Sequence, residues 1–429
     1  MWVFMLTVHC LGQSLYQQIH LSYSDSPHSL KAVWVTTLPT SSHLQLCTSH
    51  VCHILTGTQT AYVFNDEEET GEPPLPRFLH KVEITALTPD QQYSYRVGSD
   101  EDGTWSQLYN FKGSKVEYGS APLQSSADFI VFGDFGTCSS LSDPTLHSLR
   151  KAARSLQFDF FLHIGDFAYN LNTDNGRRGD EFFSDIEGIA AYVPYMTAVG
   201  NHERYQNYTH YRNLFDMPGD TDGFYYSFNV GPVHVVVYSS ETACRHPYCP
   251  DEAQIAWLTA DLQEAQRNRD KQPWVVAMSH EPLYCSVDWE DLGEYQNCIV
   301  DAEIRRAFYE DLLVEAGLDV HFHGHLHNYE RTQPVFHSTP QSSRIAASHL
   351  YVNPVAPIYV VSGIAGSCLE QDVAPSSATP QAYSVFRTDE LSYTRVHAEE
   401  RLLRVEQVSA VTEEVIDYFL VVKAPIAKS

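Results

Sequence analysis

Two rhythms of apolar residues divide the chain near residue 113. From about Gln18 to Gly113 the apolar positions follow the period of two expected of half-buried strands. Residues 31–37 form a β-branched and aromatic run, and His80, Val82 and Ile84 alternate before a turn at Thr88-Pro89-Asp90. Leu87 and Pro89, followed by Tyr93 and Tyr95, have the pattern of a sandwich corner in which a tyrosine bonds back to the backbone. The acidic, proline-rich stretch 65–76 reads as a solvated loop, and 113–123 as a polar link. Beyond the link, short apolar runs alternate with helical spacings. Strands are predicted at 128–132, 158–164, 194–199, 274–278 and 319–322, and helices at 142–156, 252–269 and 302–316. Further strands follow at 357–362, 393–397 and 403–408. Strand–helix alternation predicts parallel pairing. The expected architecture is an all-β sandwich over 15–113, mechanical in role, then an α/β domain over 114–429 with a β-rich region from about 340.

Composition narrows the partners. Of 429 residues 43% are hydrophobic, ample for a core, and the net charge is −27. Such a surface repels nucleic acid and anionic membrane, so neither is an expected partner. An anionic substrate would need a positive field from something other than Lys and Arg, and metal ions provide one. The apolar opening Trp2 to Leu11, with Gly12 to Ser14 behind it, reads as a signal peptide over 1–14. That segment holds Cys10 and leaves eight of nine cysteines. Cys47/Cys52, Cys244/Cys249 and Cys285/Cys298 are close neighbours and disulfide candidates. Cys138 and Cys368 remain, with connectivity open. An Asn207-Tyr208-Thr209 glycosylation acceptor adds to the picture of a secreted or lysosomal protein.

Five segments place hard metal ligands beside a glycine or at the end of an apolar run. They are Gly133-Asp134-Phe135-Gly136, Gly165-Asp166-Phe167-Ala168-Tyr169, Gly200-Asn201-His202-Glu203, the 274–280 run ending in His280, and Gly324-His325-Leu326-His327. An Asp beside a strand-end glycine is by itself more often a turn or cap. A lone histidine in an apolar stretch is usually a core side chain, the reading given to His210, His234, His246, His321 and His323. Five such segments in order, each at a strand end, are another matter. They supply Asp, Asp, Tyr, Asn, His, His and His, enough for two adjacent ions with one carboxylate left to bridge them.

Asp134-x-Gly, Gly-Asp166-x-x-Tyr169, Gly-Asn201-His202-Glu203, His280 and Gly-His325-x-His327 resemble the five-block signature of the purple acid phosphatases, calcineurin-like metallophosphoesterases. Segments 166–170 and 324–331 are most similar to the iron/zinc purple acid phosphatase-like proteins of animals. The resemblance implies a fibronectin type III-like sandwich ahead of an α/β metallophosphoesterase domain with layered β-sheets flanked by helices. It implies that Asp134, Tyr169 and His327 hold Fe(III), that Asn201, His280 and His325 hold a divalent Zn, Fe or Mn, and that Asp166 bridges. A phenolate suits Fe(III), because a phenol with pKa near about 10 ionises at neutral pH only on a strong Lewis acid. Two ions of about +5 against about −3 from Asp134, Asp166 and Tyr169 leave roughly +2 to attract phosphate. The implied reaction is hydrolysis of phosphate monoesters at acid pH by attack of a metal-bound hydroxide. His202 is then a transition-state stabiliser or the acid for the leaving group.

One departure concerns the loop after His280. Plant members of the family carry further histidines there, whereas here none occurs before His321. The loop has Glu281, Asp288, Glu290 and Glu294 instead, so the proton for the leaving group comes from His202, a carboxylic acid or water. The expected substrate is a small phosphate ester or a phosphoprotein. Other readings are a phosphodiesterase of the same superfamily, a secreted glycoprotein with a vestigial metal site, and an oxidant-generating iron protein.

Overall fold

The computed structural model describes residues 15–64, 75–101, 103–117, 126–137, 140–241, 251–287, 298–341, 344–347, 349–368 and 379–424. The predicted signal segment with Cys10, and Cys138, Cys244, Cys249, His246, Asp288, Glu290 and Glu294, lie outside them.

An N-terminal β domain comes first. Its strands are β1 (Gln17–Tyr23), β2 (Leu30–Thr36), β3 (His43–Cys47), β4 (Cys52–Thr56), β5 (Thr58–Phe64), β6 (Leu75–Ile84), β7 (Gln92–Ser99), β8 (Thr104–Trp105) and β9 (Tyr109–Lys112). One sheet has the order β1-β2-β6-β5; the other runs β4-β3-β7-β8, with β9 also on β7. The tyrosine corner forms as expected, with the Thr88 N–H donating to Tyr93 Oη at 3.0 Å. Cys47 and Cys52 are joined, tying β3 to β4.

The second domain stacks two eight-stranded sheets. In the first, Tyr195–Ala198, Phe160–Ile164 and Ser126–Phe132 run parallel, and Ser392–Glu399, Leu402–Ser409 and Val415–Val422 extend it antiparallel. In the second, Val233–Val237, Trp274–Met278, Val320–His323 and Ile358–Ser362 are parallel neighbours. Both faces of these strands are covered, so Trp274–Met278 reads as an unbroken apolar run, and the polar residues that interrupt its neighbours, His234, His321, His323 and Ser362, are themselves buried. Val235, Val276, Met278, Val320, Phe322 and Val360 enter the core shared with the first sheet. Val236, Val275, Ala277 and Tyr359 pack on the other side against the helices Glu252–Arg267 and Cys298–Glu315. The first of these helices starts where Asp251 caps it, accepting from Ala253 N–H at 3.0 Å. Helices Asp143–Arg154 and Arg177–Ala190 bury Leu146, Leu149, Phe182 and Ile186 in the shared core. No helix among the described residues is long and apolar enough to cross a membrane.

Several elements depart from the sequence-based expectation. The polar link contains the short strand Val116–Glu117, paired with Tyr226–Val230. Leu75 and Pro76, expected in a loop, begin β6. Helix Arg177–Ala190 and the hairpin 226–237 were not anticipated at all.

The two domains share one hydrophobic core. Across their boundary Arg77, 4% exposed, forks onto Asp180 through Nε (2.8 Å) and Nη2 (2.7 Å). Tyr95 Oη donates to Ala191 O at 2.9 Å, and Tyr23 Oη to Asp159 O at 2.8 Å. The all-β domain therefore braces the helix Arg177–Ala190 and the strand Phe160–Ile164.

The carboxyl ends of the parallel strands meet through glycines. Gly133 N–H donates to Ser362 O at 2.8 Å, joining the two sheets, and Gly324 N–H donates to His280 O at 2.9 Å. A Cβ on Gly200 would stand 2.3 Å from Asp166 Oδ1, and one on Gly324 2.5 Å from Asp134 Oδ2 and 2.8 Å from Ile164 O. Both positions need a hydrogen for steric reasons. Just past this junction, Arg331 on one sheet grips Asp417 on the other through Nε (2.7 Å) and Nη2 (2.9 Å). Tyr351 and Tyr329 complete the fully buried cluster.

Asp417→Ala leaves a guanidinium buried without its partner, and urea denaturation should show a loss of about 3–5 kcal/mol. Gly324→Ala should fold with modest loss of stability, yet bind metal at least about tenfold more weakly in elemental analysis after dialysis, because its methyl must push Asp134 aside.

Candidate metal centre

All seven predicted ligands and His202 come together at the strand ends. Asp134 follows Ser126–Phe132, Asp166 and Tyr169 follow Phe160–Ile164, and Asn201 follows Tyr195–Ala198. His280 follows Trp274–Met278, while His325 and His327 follow Val320–His323. Asp134, Asp166, Tyr169 and His325 have φ of +58°, +58°, +46° and +69°. Left-handed backbone costs a non-glycine residue on the order of 1–3 kcal/mol. The fold tolerates that strain four times over to aim these side chains inward.

The donors fall into two groups. Tyr169 Oη lies 2.8 Å from His327 Nε2, which is 3.4 Å from Asp134 Oδ1. Asn201 Oδ1 lies 3.1 Å from His280 Nε2 and 3.0 Å from His325 Nδ1. Asp166 Oδ2 is 3.2 Å from His280 Nε2, and ligand atoms of Asp166, His280 and His325 all lie within 4.8 Å of one another. His280 Nδ1 is 2.7 Å from Ile164 O; donating there, it leaves Nε2 for the centre.

The electrostatics call for a cation. Asp134 Oδ2 accepts from His325 N–H at 2.8 Å, but the buried Oδ1 has no hydrogen-bond donor. Burial, opposed by His327 and His280, holds the Asp134 carboxyl above its ordinary range. Burial also pushes the Tyr169 phenol well above its usual value, reinforced by Asp134, Asp166 and Glu203. Burial holds His325 well below the ordinary imidazole range, so it is neutral and able to ligate. Carboxylate, phenol, amide and imidazole donors at this density fit a pair of metal ions, one side richer in hard oxygens and the other in nitrogens.

Three supporting residues escaped the sequence analysis. Glu203 accepts backbone N–H groups from Asp166 (2.9 Å), Phe167 (2.8 Å) and Gly200 (2.8 Å), tying two ligand loops together. Burial, then Asp166, pushes its carboxyl up to about 8. Its signal was present, as the last letter of Gly-Asn-His-Glu. Asn170 lies beside the half-exposed His202, with Oδ1 2.8 Å from Nδ1, while His202 Nε2 is 3.9 Å from Asp166 Oδ2. Arg305, lowered to about 10 by burial, pairs with Glu281 and donates to Pro282 O at 3.1 Å. Nothing in the local sequence marks it.

Elsewhere the expectations resolve simply. His321 and His323 are buried and held low by burial, His323 at about 3, on the helix-facing side of their strand. His210 is buried beside Tyr62, and His234 pairs with Asp261 at 2.9 Å. Cys285 is bonded to Cys298, and Cys368 is disulfide-bonded. Asn207 is exposed, in a left-handed turn of Gln206, Asn207 and Tyr208.

The family model described as calcineurin-like phosphoesterase matches residues 127–329. The purple acid phosphatase N-terminal domain matches 16–113, and iron/zinc purple acid phosphatase-like protein C matches 356–418. Acid phosphatase type 7 of Danio rerio is 36% identical over 408 residues, covering 92% of this chain and 88% of the relative. Its Mus musculus counterpart is 34% identical over 388 residues, covering 89% and 84%. A solved purple acid phosphatase from yellow lupin (Lupinus luteus) seeds superposes with a TM-score of 0.80 at 21% identity, covering 95% of this chain and 74% of that one, and shares the fold. With its domain matches in this order and relatives this similar along nearly its whole length, the chain belongs to the purple acid phosphatases, metal-dependent phosphoric monoester hydrolases among the calcineurin-like phosphoesterases.

Proposed function

We propose that the protein is a secreted or lysosomal acid phosphatase that hydrolyses phosphate monoesters at a dinuclear Fe(III)–M(II) centre. The observation that carries this reading is the buried Tyr169 phenol, set 2.8 Å from His327 in a group with Asp134. Asp134, Tyr169 and His327 would hold the ferric ion, Asn201, His280 and His325 the zinc, iron or manganese, and Asp166 both. When bound, the ions would polarise the ester and make water nucleophilic at acid pH.

The chain's own groups do the rest. Glu203 fixes the Asp166 and Asn201 loops relative to each other. Asn170 orients the His202 ring. His202 is half-exposed, as are the neighbouring Asn201 and His325, so its Nε2 can meet a leaving oxygen arriving from solvent. Glu281 is held by Arg305, and His202 would deliver the proton to the leaving group. The substrate is a small phosphate ester or a phosphorylated side chain.

The purified enzyme should be coloured by a tyrosinate-to-iron charge-transfer band, and Tyr169→Phe should abolish that band. A colourless active enzyme with iron-free metal analysis sinks the ferric assignment. His202→Ala should lower kcat on an alkyl phosphate by roughly 100-fold. The same variant should lose far less on 4-nitrophenyl phosphate, whose leaving group needs no proton. Equal losses on both esters would remove His202 as the acid.

A further inference from the structure

Histidine alternates along the chain well before the ligands begin. In His321-Phe322-His323-Gly324-His325-Leu326-His327 an imidazole occupies every second position, and only the last two reach the centre. Residues two apart in a strand share a face. His321 and His323 lie on the helix-facing side of Val320–His323, fully buried, with ring centroids 3.9 Å apart. Tyr238, just past Val233–Val237, and Tyr359 flank them, 5.5 Å and 5.8 Å from the His321 ring.

Packing alone does not account for the pair. Val236, Val275 and Ala277 fill the same layer with apolar side chains, which desolvate no polar atom. Each imidazole instead leaves one nitrogen, His321 Nδ1 or His323 Nε2, without a partner among the described residues. What the two rings share is Ser279. Its Oγ lies 3.3 Å from His321 Nε2 and 3.2 Å from His323 Nδ1, and its carbonyl oxygen is 3.2 Å from that same Nδ1. A carbonyl oxygen only accepts, so His323 Nδ1 carries a proton and donates to Ser279. The Ser279 hydroxyl is then free to donate to His321 Nε2.

This clamp sits directly behind two of the predicted ligands. Ser279 precedes His280, and His323 stands two positions before His325. The His280 and His325 rings are 5.2 Å apart, and both lie beside Asn201 Oδ1. The backbone joins the same strand ends, with Ser279 N–H donating to Phe322 O at 3.3 Å and Gly324 N–H to His280 O at 2.9 Å. Any slip of one strand end against the other is therefore passed to the separation of the two imidazoles. Asp134 and Tyr169 follow strands of the other sheet and do not depend on that junction in the same way.

We propose that His321 and His323 are positioning residues, which through Ser279 hold His280 and His325 at the separation a single divalent ion requires. The inference rests on the ligand assignment made under the proposed function. It is tested with His323→Leu, set against His323→Asn, whose amide nitrogen can take the place of Nδ1. The parent should retain a pair of ions after dialysis. His323→Leu should keep its iron and the tyrosinate band, yet bind zinc about tenfold or more weakly in competition with a chelator. Excess zinc should restore its hydrolysis of 4-nitrophenyl phosphate. His321→Leu should act in the same direction, and His323→Asn should bind zinc nearly as tightly as the parent. Loss of iron and zinc together, as general loosening would give, overturns the positioning role. So does a zinc affinity unchanged in His323→Leu, or as weak in His323→Asn as in His323→Leu. A parent that retains no ion pair overturns the ligand assignment itself, and this inference with it.

Discussion

Burying several oxygen acids in one place without an opposite charge is the constraint around which the catalytic domain is organised. Asp134, Asp166, Tyr169 and Glu203 are all nearly inaccessible, and the Asp166 carboxylate, itself held low by His280 and His202 against its burial, raises the cost of ionising the other three. Desolvation alone favours their neutral forms, and proximity adds to that. A cluster of this kind is stable in its charged form only around cations. The imidazoles of His280, His325 and His327 stand among the same oxygens, which is the donor mixture that binuclear centres use.

Geometry follows from the same requirement. Donors on five separate loops must lie within a few ångströms of one another, so the loops must touch. Side chains on Gly200 or Gly324 would collide with Asp166 or Asp134, and the left-handed backbone at four of the predicted ligands turns their carboxylates and rings inward. Strain of that sort persists only on a rigid base. The base is the pair of sheets, locked beyond the ligand loops by the buried Arg331–Asp417 fork and braced by Arg77–Asp180 from the N-terminal domain. A buried ion pair adds little net stability compared with apolar packing. Here it links the two sheets whose strand ends carry the predicted ligands.

Much of this is legible in the sequence for a physical reason. Parallel strands covered on both faces are mostly apolar, and Trp274–Met278 and Ile358–Ser362 are found where such runs lie. Ligands at strand ends need glycine beside them, so the chemistry marks itself with Gly-Asp, Gly-Asn and Gly-His. Helix Arg177–Ala190 escaped because Gly179 and Gly188 interrupt a propensity that its buried Phe182, Phe183 and Ile186 override through packing. Helix Tyr205–Leu214 escaped because left-handed residues at 206–208 break its period. Arg305 is invisible for another reason. Its neighbours Glu281 and Pro282 are brought to it only by the folded sheet and helix.

Charge closes the argument. A protein of net charge −27 presents no general attraction to a phosphate ester, so capture must come from the centre itself. Asn201, His202 and His325 are half-exposed beside otherwise enclosed donors, and they mark the side from which an ester can arrive. An ester carrying many additional charges gains nothing from the acidic surroundings and is repelled by them. A monoester with a compact anionic head exposes its charge only to the metal ligands. Selectivity for such substrates would then rest on the contrast between a positive site and a negative surface, with no need for a recognition loop of basic residues.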